Sequence, residues 1–227
     1  MLKFYYNTGP NPMKVALFLE EAGLEYEAIP IDGRKGDQHT PEYLAINPNA
    51  KAPSLVDGDT TVFDSNAILL YLAEKTGKFL PSEGAPARGE LLSWLMFVAT
   101  GIGPYSGQSV HFQRHAPEKL PYAINRYRFE AKRHYGILDK RLADRPYLVG
   151  DAYGIVDMAA WGWARLIPVV LDEDAWADLP NLKRLIDEIS ARPAAERALG
   201  LAQKHQFKTE MDEESHRNMF PSNQVRA

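Results

Sequence analysis

The chain has 227 residues, room for one large domain or two of the common ~100–150 residues. It is 45% hydrophobic and 25% charged, the proportions of an ordinary globular protein, which excludes disordered and collagen-like classes. Lys and Arg number 26 against 30 Asp and Glu, a net charge of -4 that speaks against a nucleic-acid binder. There is no cysteine, so a disulfide framework, a thiolate zinc site and a cysteine nucleophile are all excluded. Redox chemistry in this chain must borrow a thiol. The start of the chain lacks the apolar core of a signal peptide, and its longest apolar runs fall short of the ~20 residues that span a bilayer. A cytoplasmic protein without membrane or nucleic-acid partners is expected.

Residues 2–7, rich in Phe and Tyr, predict a strand. Asn11-Pro12 then reads as an N-cap followed by a first-turn proline, predicting a helix from Pro12 to Ala22 that ends at Gly23. Tyr26–Ile31 predicts a second strand, Gly33–Gln38 a polar loop, and Thr40-Pro41 repeats the cap-then-proline signal for a short helix. Pro53–Asp57 and Thr60–Phe63 flank Gly58 as a hairpin. Ser65 is expected to cap a helix with Ile68, Leu69 and Leu72 on one face and Gly77 at its end. The order βαβ, short helix, ββα implies an α/β domain with a mixed sheet.

Leu80–Pro86 reads as a linker, and strand signals then almost vanish. Helices are predicted over Glu90–Thr100 and Tyr122–Leu142. Another carries Leu182, Leu185, Ile186 and Ile189 at helical spacing and stops near Pro193. The expected organisation is α/β plus all-α: residues 1–81, then an all-helical domain over 87–207, then a polar, mobile tail from Lys208 to the end at 227.

Three local sequences carry candidate chemistry. In Asn47-Pro48-Asn49-Ala50-Lys51-Ala52-Pro53, a cis Ala52–Pro53 bond would turn the N–H and C=O of Ala52 outward, ready to pair an extended peptide as an added strand. Phe63-Asp64-Ser65-Asn66 sets an acid, a hydroxyl and backbone N–H groups at a helix N-terminus, a seat for a carboxylate, with Asp64 available to an ammonium. Asp151–Asp157 opens a buried helix, and Asp157 reads as its structural capping acid, with Gly154 a weak cap.

On these motifs the chain resembles the cytosolic glutathione transferases over nearly its whole length. Within them it is similar to the bacterial nu class, which also resembles disulfide-bond oxidoreductases and the yeast nitrogen-regulator prion domain. The subclass marks are Gly36-Asp37-Gln38-His39, Gly103–Gln108 and Ala116–Tyr127. The resemblance implies a thioredoxin-like glutathione domain followed by a helical domain, assembled as a homodimer. It implies that Ala52, before Pro53, pairs with the cysteinyl unit of glutathione, and that Asp64 and Ser65 take the γ-glutamyl end. Gln38 and Lys51 would lie near the glycyl end, and Arg126 would reach the ligand from the neighbouring subunit. The class activates the thiol with a Thr-x-Asn motif. Here Asn11 matches, Gly9 stands at the threonine position, and Thr8 falls one residue early.

The implied activity is glutathione-dependent disulfide reduction or glutathione transfer, with one or two glutathiones and no metal. Aryl-ether or thioether cleavage, conjugation of electrophiles, and a non-catalytic glutathione-binding role are the alternatives. Tyr105, Gln108, His111 and Phe112 are candidate pocket residues, although a lone His is more often structural. Trp94, Trp161 and Trp163 read as core, and Lys132 and Arg133 as a solvated or interface face. No metal-ligand spacing and no Gly-rich phosphate loop is present.

Overall fold

The computed structural model describes residues 1–81 and 84–224. Ser82 and Glu83 of the expected linker and the last three residues of the expected tail lie outside the described residues. The rest forms two compact units, residues 1–71 with 197–224 and the described part of 72–196. This division departs from the expected boundaries at 81 and 207 at both ends. No helix among the described residues is long and apolar enough to cross a membrane.

In the first unit, β1 (Leu2–Tyr6), α1 (Pro10–Ala22) and β2 (Tyr26–Pro30) form a βαβ unit, with β1 and β2 parallel. A 3₁₀ turn (Asp37–His39) and α2 (Pro41–Ile46) lead to β3 (Ser54–Asp57), β4 (Thr60–Phe63) and α3 (Ser65–Thr76). The sheet order is β2-β1-β3-β4, and β3 runs antiparallel to both neighbours. This is the expected thioredoxin-like arrangement. Phe4, Tyr6, Leu17, Phe18, Leu55 and Ile68 are wholly buried and form its core.

α1 begins at Pro10, two residues before the expected start, and Gly9 rather than Asn11 is its N-cap. Gly9 has no side chain to cap with, but Pro10 and Pro12 favour the first turn, and Pro lacks the N–H that would need a partner there. Asn11 therefore sits inside the first turn. The helix ends where expected, on Gly23 in the left-handed region at φ 66°, with the Leu24 N–H closing on the Leu19 carbonyl at 3.0 Å.

The second unit is helical: α4 (Ala85–Phe97), a π-helical turn (Val98–Ile102), α5 (Gly103–Arg114), α6 (Pro121–Arg141), α7 (Ile155–Ala164), α8 (Ile167–Val170) and α9 (Pro180–Ser190). α4 starts at Ala85, so the expected linker is shorter than Leu80–Pro86. Pro193 opens α10 (Pro193–Gly200), because proline is favoured in a first turn as well as after a last one. The π-helical turn packs tightly. A Cβ on Gly101 would collide with the His134 ring, so only glycine lets that ring approach the backbone.

Asp157 has the structural role expected of it. Its Oδ1 accepts from the Leu148 N–H at 2.8 Å and its Oδ2 from the Gly154 N–H at 2.9 Å. Burial pushes its carboxyl up to about 7, with those two N–H donors pulling the other way. Asp139 caps α9 in the same manner through the Asn181 and Leu182 N–H groups, at 2.8 and 2.9 Å.

The free tail expected from Lys208 is instead anchored to the first unit. Lys208 N–H donates to Asp32 Oδ2 at 2.6 Å, and Arg34 Nη1 donates to the Lys208 carbonyl at 2.6 Å. Asp212 then caps α11 (Glu213–Met219) by accepting from the Ser215 N–H at 2.9 Å. Upstream, Tyr6 donates its hydroxyl to the Leu201 carbonyl at 2.9 Å. Polar composition alone signalled a tail, but these polar groups have fixed partners in the loop after β2.

Candidate functional site

Ala52–Pro53 is the cis peptide bond of the chain's described residues. The approach to it is locked by side chains upstream: Asn47 Nδ2 and the Tyr43 hydroxyl both donate to the Lys51 carbonyl, at 2.6 and 2.8 Å. Ala50 takes a left-handed φ of 53° to make the turn. The N–H and C=O of Ala52 have no hydrogen-bond partner among the described residues. Half-buried Ala52 thus presents a donor and an acceptor at the bend before cis-Pro53, which an incoming peptide backbone can satisfy by strand addition.

Asp64, not Ser65, is the residue that caps α3. Its φ of 71° turns the carboxylate back, and Oδ1 accepts from the Asn66 and Ala67 N–H groups at 2.8 and 3.2 Å. The left-handed conformation is tolerated by Asp because its short polar side chain bonds locally. Ser65 is the first residue of α3 and is buried. Behind it lies Lys14, also buried, whose Nζ donates to Ser65 Oγ at 3.4 Å. Burial lowers the Lys14 ammonium to about 8, against the attraction of Asp64. Because Lys14 donates to Ser65 Oγ, the serine's own proton is left for another acceptor. An acid, a hydroxyl donor and a concealed cation therefore meet at one helix N-terminus, a set that suits a zwitterionic amino-acid group.

Asn7, Ile31, Gly33, Gln38, Ala50, Lys51, Ala52, Met219 and Phe220 line one pocket. It brings together Gln38, Lys51 and Ala52, three of the sequence-predicted residues. Gln38 is buried, and its Nε2 donates to the Gly33 carbonyl at 3.2 Å and to the Asn218 carbonyl at 2.9 Å. The amide oxygen is left in a buried position without a partner among the described residues. Sequence reasoning missed Asn7, Met219 and Phe220. Met219 and Phe220 arrive through the anchored C-terminal segment and carry no local signal. Asn7 was detectable: an Asn two residues before Gly9 is an Asx-turn signal, and its Oδ1 does accept from the Gly9 N–H at 2.9 Å.

Thr8 is exposed, and neither it nor Asn11 lines this pocket. Arg126, on an exposed face of α6, pairs with Glu130 at 2.8 Å. Glu130 also holds Arg133 at 2.9 Å, and these arginines keep its carboxyl below the usual range. Tyr105, Gln108, His111 and Phe112 all fall on α5. Tyr105 packs on His134 with ring centroids 4.8 Å apart, and Phe112 stacks on Tyr127 at 5.1 Å. His111 meets Phe112 edge-on at 5.2 Å, and burial lowers its imidazole pKa. Gln108 is exposed. Tyr105, His111 and Phe112 thus belong to an aromatic cluster of the helical unit.

Comparison with known proteins agrees with this geometry. Residues 1–74 match the glutathione S-transferase N-terminal domain and residues 104–193 the glutathione S-transferase C-terminal domain. The chain is 42% identical to the disulfide-bond oxidoreductase YfcG of Escherichia coli, over 89% of this chain and 96% of that protein. It is 40% identical to the disulfide-bond oxidoreductase YghU of the same organism, over 86% and 73%. A crystal structure of a glutathione transferase from Burkholderia graminis, with two glutathione molecules bound per subunit, superposes with a TM-score of 0.83 at 36% identity, covering 90% of this chain and 89% of that one. The chain belongs to the glutathione S-transferase family.

Proposed function

We propose that the protein is a glutathione-dependent disulfide reductase that works without a cysteine of its own. The observation that carries this reading is Ala52, whose unpaired N–H and C=O stand beside cis-Pro53 on the pocket shared with Gln38 and Lys51. In this reading Ala52 pairs with the cysteinyl unit of glutathione. Asp64 meets the γ-glutamyl ammonium, and Ser65, supported by Lys14, meets its carboxylate. Lys51 faces the glycyl carboxylate, and the unpartnered Gln38 amide oxygen accepts an N–H of the glutathione backbone. Asn11, in the first turn of α1, is assigned as a donor to the thiolate, with Thr8 as the hydroxyl nearest to it in sequence. The similarity to two disulfide-bond oxidoreductases supports this substrate class. We further assign a homodimer, in which Arg126 reaches the partner's ligand from its exposed face on α6.

The chemistry follows from the absence of cysteine. A free thiol of pKa ~8.5 is only a few per cent ionised at neutral pH, and the thiolate is the nucleophile. Lowering that pKa by ~1–2 units is worth ~1.4–2.7 kcal/mol, within reach of one or two aligned amide donors and the α1 N-terminus. The first glutathione thiolate attacks a substrate disulfide, forming a glutathione mixed disulfide and releasing one substrate thiolate, which takes a proton from water. A second glutathione thiolate attacks the glutathione sulfur of that mixed disulfide, giving glutathione disulfide and the second substrate thiol. The two glutathiones per subunit in the Burkholderia graminis structure support a site with room for both.

The test is steady-state reduction of 2-hydroxyethyl disulfide by glutathione, coupled to glutathione reductase, for wild type and Asn11→Ala. Turnover by the wild type that falls in the variant, with glutathione affinity retained, is the expected result. Glutathione binding without turnover in either protein overturns the reductase reading and points to ether or thioether cleavage.

A further inference from the structure

The pocket beside Ala52 is closed on one side by residues nearly the whole chain away. Asn218 is the latch. Its carbonyl accepts from Gln38 Nε2 at 2.9 Å and meets His39 Nε2 at 3.0 Å. Its own Nδ2 donates to the Arg34 carbonyl at 2.9 Å. Gly36 makes the fit possible. At a φ of 90°, a Cβ there would stand 3.2 Å from the Asn218 side chain, so glycine both takes the turn and leaves the space. A second anchor lies ten residues earlier. Arg34 holds the Lys208 carbonyl at 2.6 Å and Met211 Sδ at 3.1 Å, while Lys208 Nζ pairs with Asp212 and Glu214 at 2.8 and 2.7 Å. The segment is thus fixed at both ends of α11, and Met219 and Phe220, immediately after the latch, form a wall of the pocket that Gln38 and Lys51 also line.

Met219 and Phe220 are apolar, while Gln38, Lys51 and Asn7 in the same lining are polar. The space beside the wall is about 140 Å³, below the ~300 Å³ at the lower end of small-molecule sites, room for one end of a peptide. We propose that Lys208–Phe220 is a specificity element: Met219 and Phe220 close the glycyl end of the glutathione pocket. The protein then accepts the tripeptide and its S-linked derivatives and rejects glutathione lengthened at its glycyl carboxyl. This rests on the glutathione reading above. A lengthened ligand either meets the wall or must lift it, which breaks the bonds of Asn218 to Gln38 and Arg34. Substrates varied at sulfur do not meet this wall.

The test uses full-length protein and calorimetric titration with two ligands: glutathione, and the tetrapeptide that carries one further glycine on its carboxyl. The wild type is expected to bind the tetrapeptide ~10-fold or more weakly, in the range by which closed pockets reject an extra group. Met219→Ala/Phe220→Ala opens the wall, and Asn218→Asp weakens the latch without touching the wall: a carboxylate cannot donate to the Arg34 carbonyl, while the Asn218 carbonyl keeps its contacts with Gln38 and His39. The double variant is expected to bring the ratio to within about threefold, a loss of more than half a decade of discrimination, and Asn218→Asp to lower the ratio in the same direction. Should the double variant fail to fold, Asn218→Asp decides alone. Equal affinity of the wild type for both ligands overturns the inference, as does a ratio unchanged in the variants. Wild type that binds neither ligand overturns the glutathione reading itself, and the inference falls with it.

Discussion

Asn7 Oδ1 accepts from the Gly9 N–H at 2.9 Å, and a Cβ at position 9 would stand 2.8 Å from that same oxygen. Position 9 and the Asn7 side chain therefore claim one volume. With its oxygen held by Gly9, Asn7 turns its Nδ2 elsewhere, on a residue that lines the pocket of Ala52. The consequence is testable by Asn7→Asp. That variant keeps the acceptor for Gly9 and exchanges the N–H donor for a second carboxylate oxygen. We propose that Asn7 Nδ2 is a second donor to the glutathione thiolate beside Asn11; kcat should then fall roughly 10²-fold, the scale of one lost donor to a developing anion. The acidic limb of the kcat/KM profile should move to higher pH, because a nearby carboxylate opposes thiolate formation. A profile that keeps its midpoint would reduce Asn7 to a turn former.

Asp64 combines a helix cap with a charge, and two substitutions separate them. Asp64→Asn keeps an oxygen for the Asn66 and Ala67 N–H groups and tolerates the left-handed φ of 71°. Its melting temperature should fall less than that of Asp64→Ala, by the lost attraction for the buried Lys14 ammonium alone, while glutathione affinity drops because the partner of the γ-glutamyl ammonium is gone. Asp64→Ala loses the cap as well and strains the backbone, costing about 1–2 kcal/mol in stability. Urea denaturation and calorimetry on the pair check both statements. Unchanged affinity in Asp64→Asn would remove the charge from the site.

Much of the first unit is legible in its sequence because the signals are local. Pro, Gly and alternating apolar residues mark β1, α1 and the hairpin of β3 and β4, and Ala52-Pro53 announces its own turn. The misplaced cap of α1 has a local cause too. Asn11 is a good cap and Pro12 a good first residue, yet Pro10 serves equally well, and residue preference cannot choose between them. Asp64 and Ser65 pose the same ambiguity for α3. The C-terminal segment was unreadable for a different reason. Its contacts are side chain to main chain, between Lys208 and Asp32 or Asn218 and Arg34, across 176 and 184 residues. No periodicity within residues 208–220 encodes them, and the apolar Met219 and Phe220 are two residues among charges.

Lys14 should make stability depend on pH above neutrality. Its ammonium is lowered to about 8 by burial, from an ordinary 10.5. Between those values the unfolded chain holds a proton that the folded protein has released, so stability rises with pH across that window. Lys14→Met removes this component. The wild-type urea midpoint, measured from pH 8 to 10, should climb relative to that of the variant. Parallel curves would show that Lys14 keeps its proton through the window, held by Asp64 and Ser65. The same variant should weaken glutathione binding, since Ser65 Oγ then loses the buried ammonium that donates to it and supports a carboxylate beside it.

Asp157 gives the opposite slope in the helical unit. Its carboxyl is raised to about 7 by burial, so between its ordinary 3.8 and that value the folded state holds a proton the unfolded chain has lost. Stability from this residue is therefore greatest near pH 4 and is lost as pH climbs toward 7. Asp157→Asn cannot ionise and lacks that slope. It keeps an oxygen for the Leu148 N–H but turns an NH₂ toward the half-buried Gly154 N–H, which sets two donors against each other at a cost of about 1–3 kcal/mol. The variant should be less stable throughout, with the gap to the wild type widest near pH 4 and narrowing toward pH 7. Melting temperatures across that range measure the gap, and a gap that widens with pH instead would mean that Asp157 is ionised in the folded protein and its two N–H partners outweigh its burial.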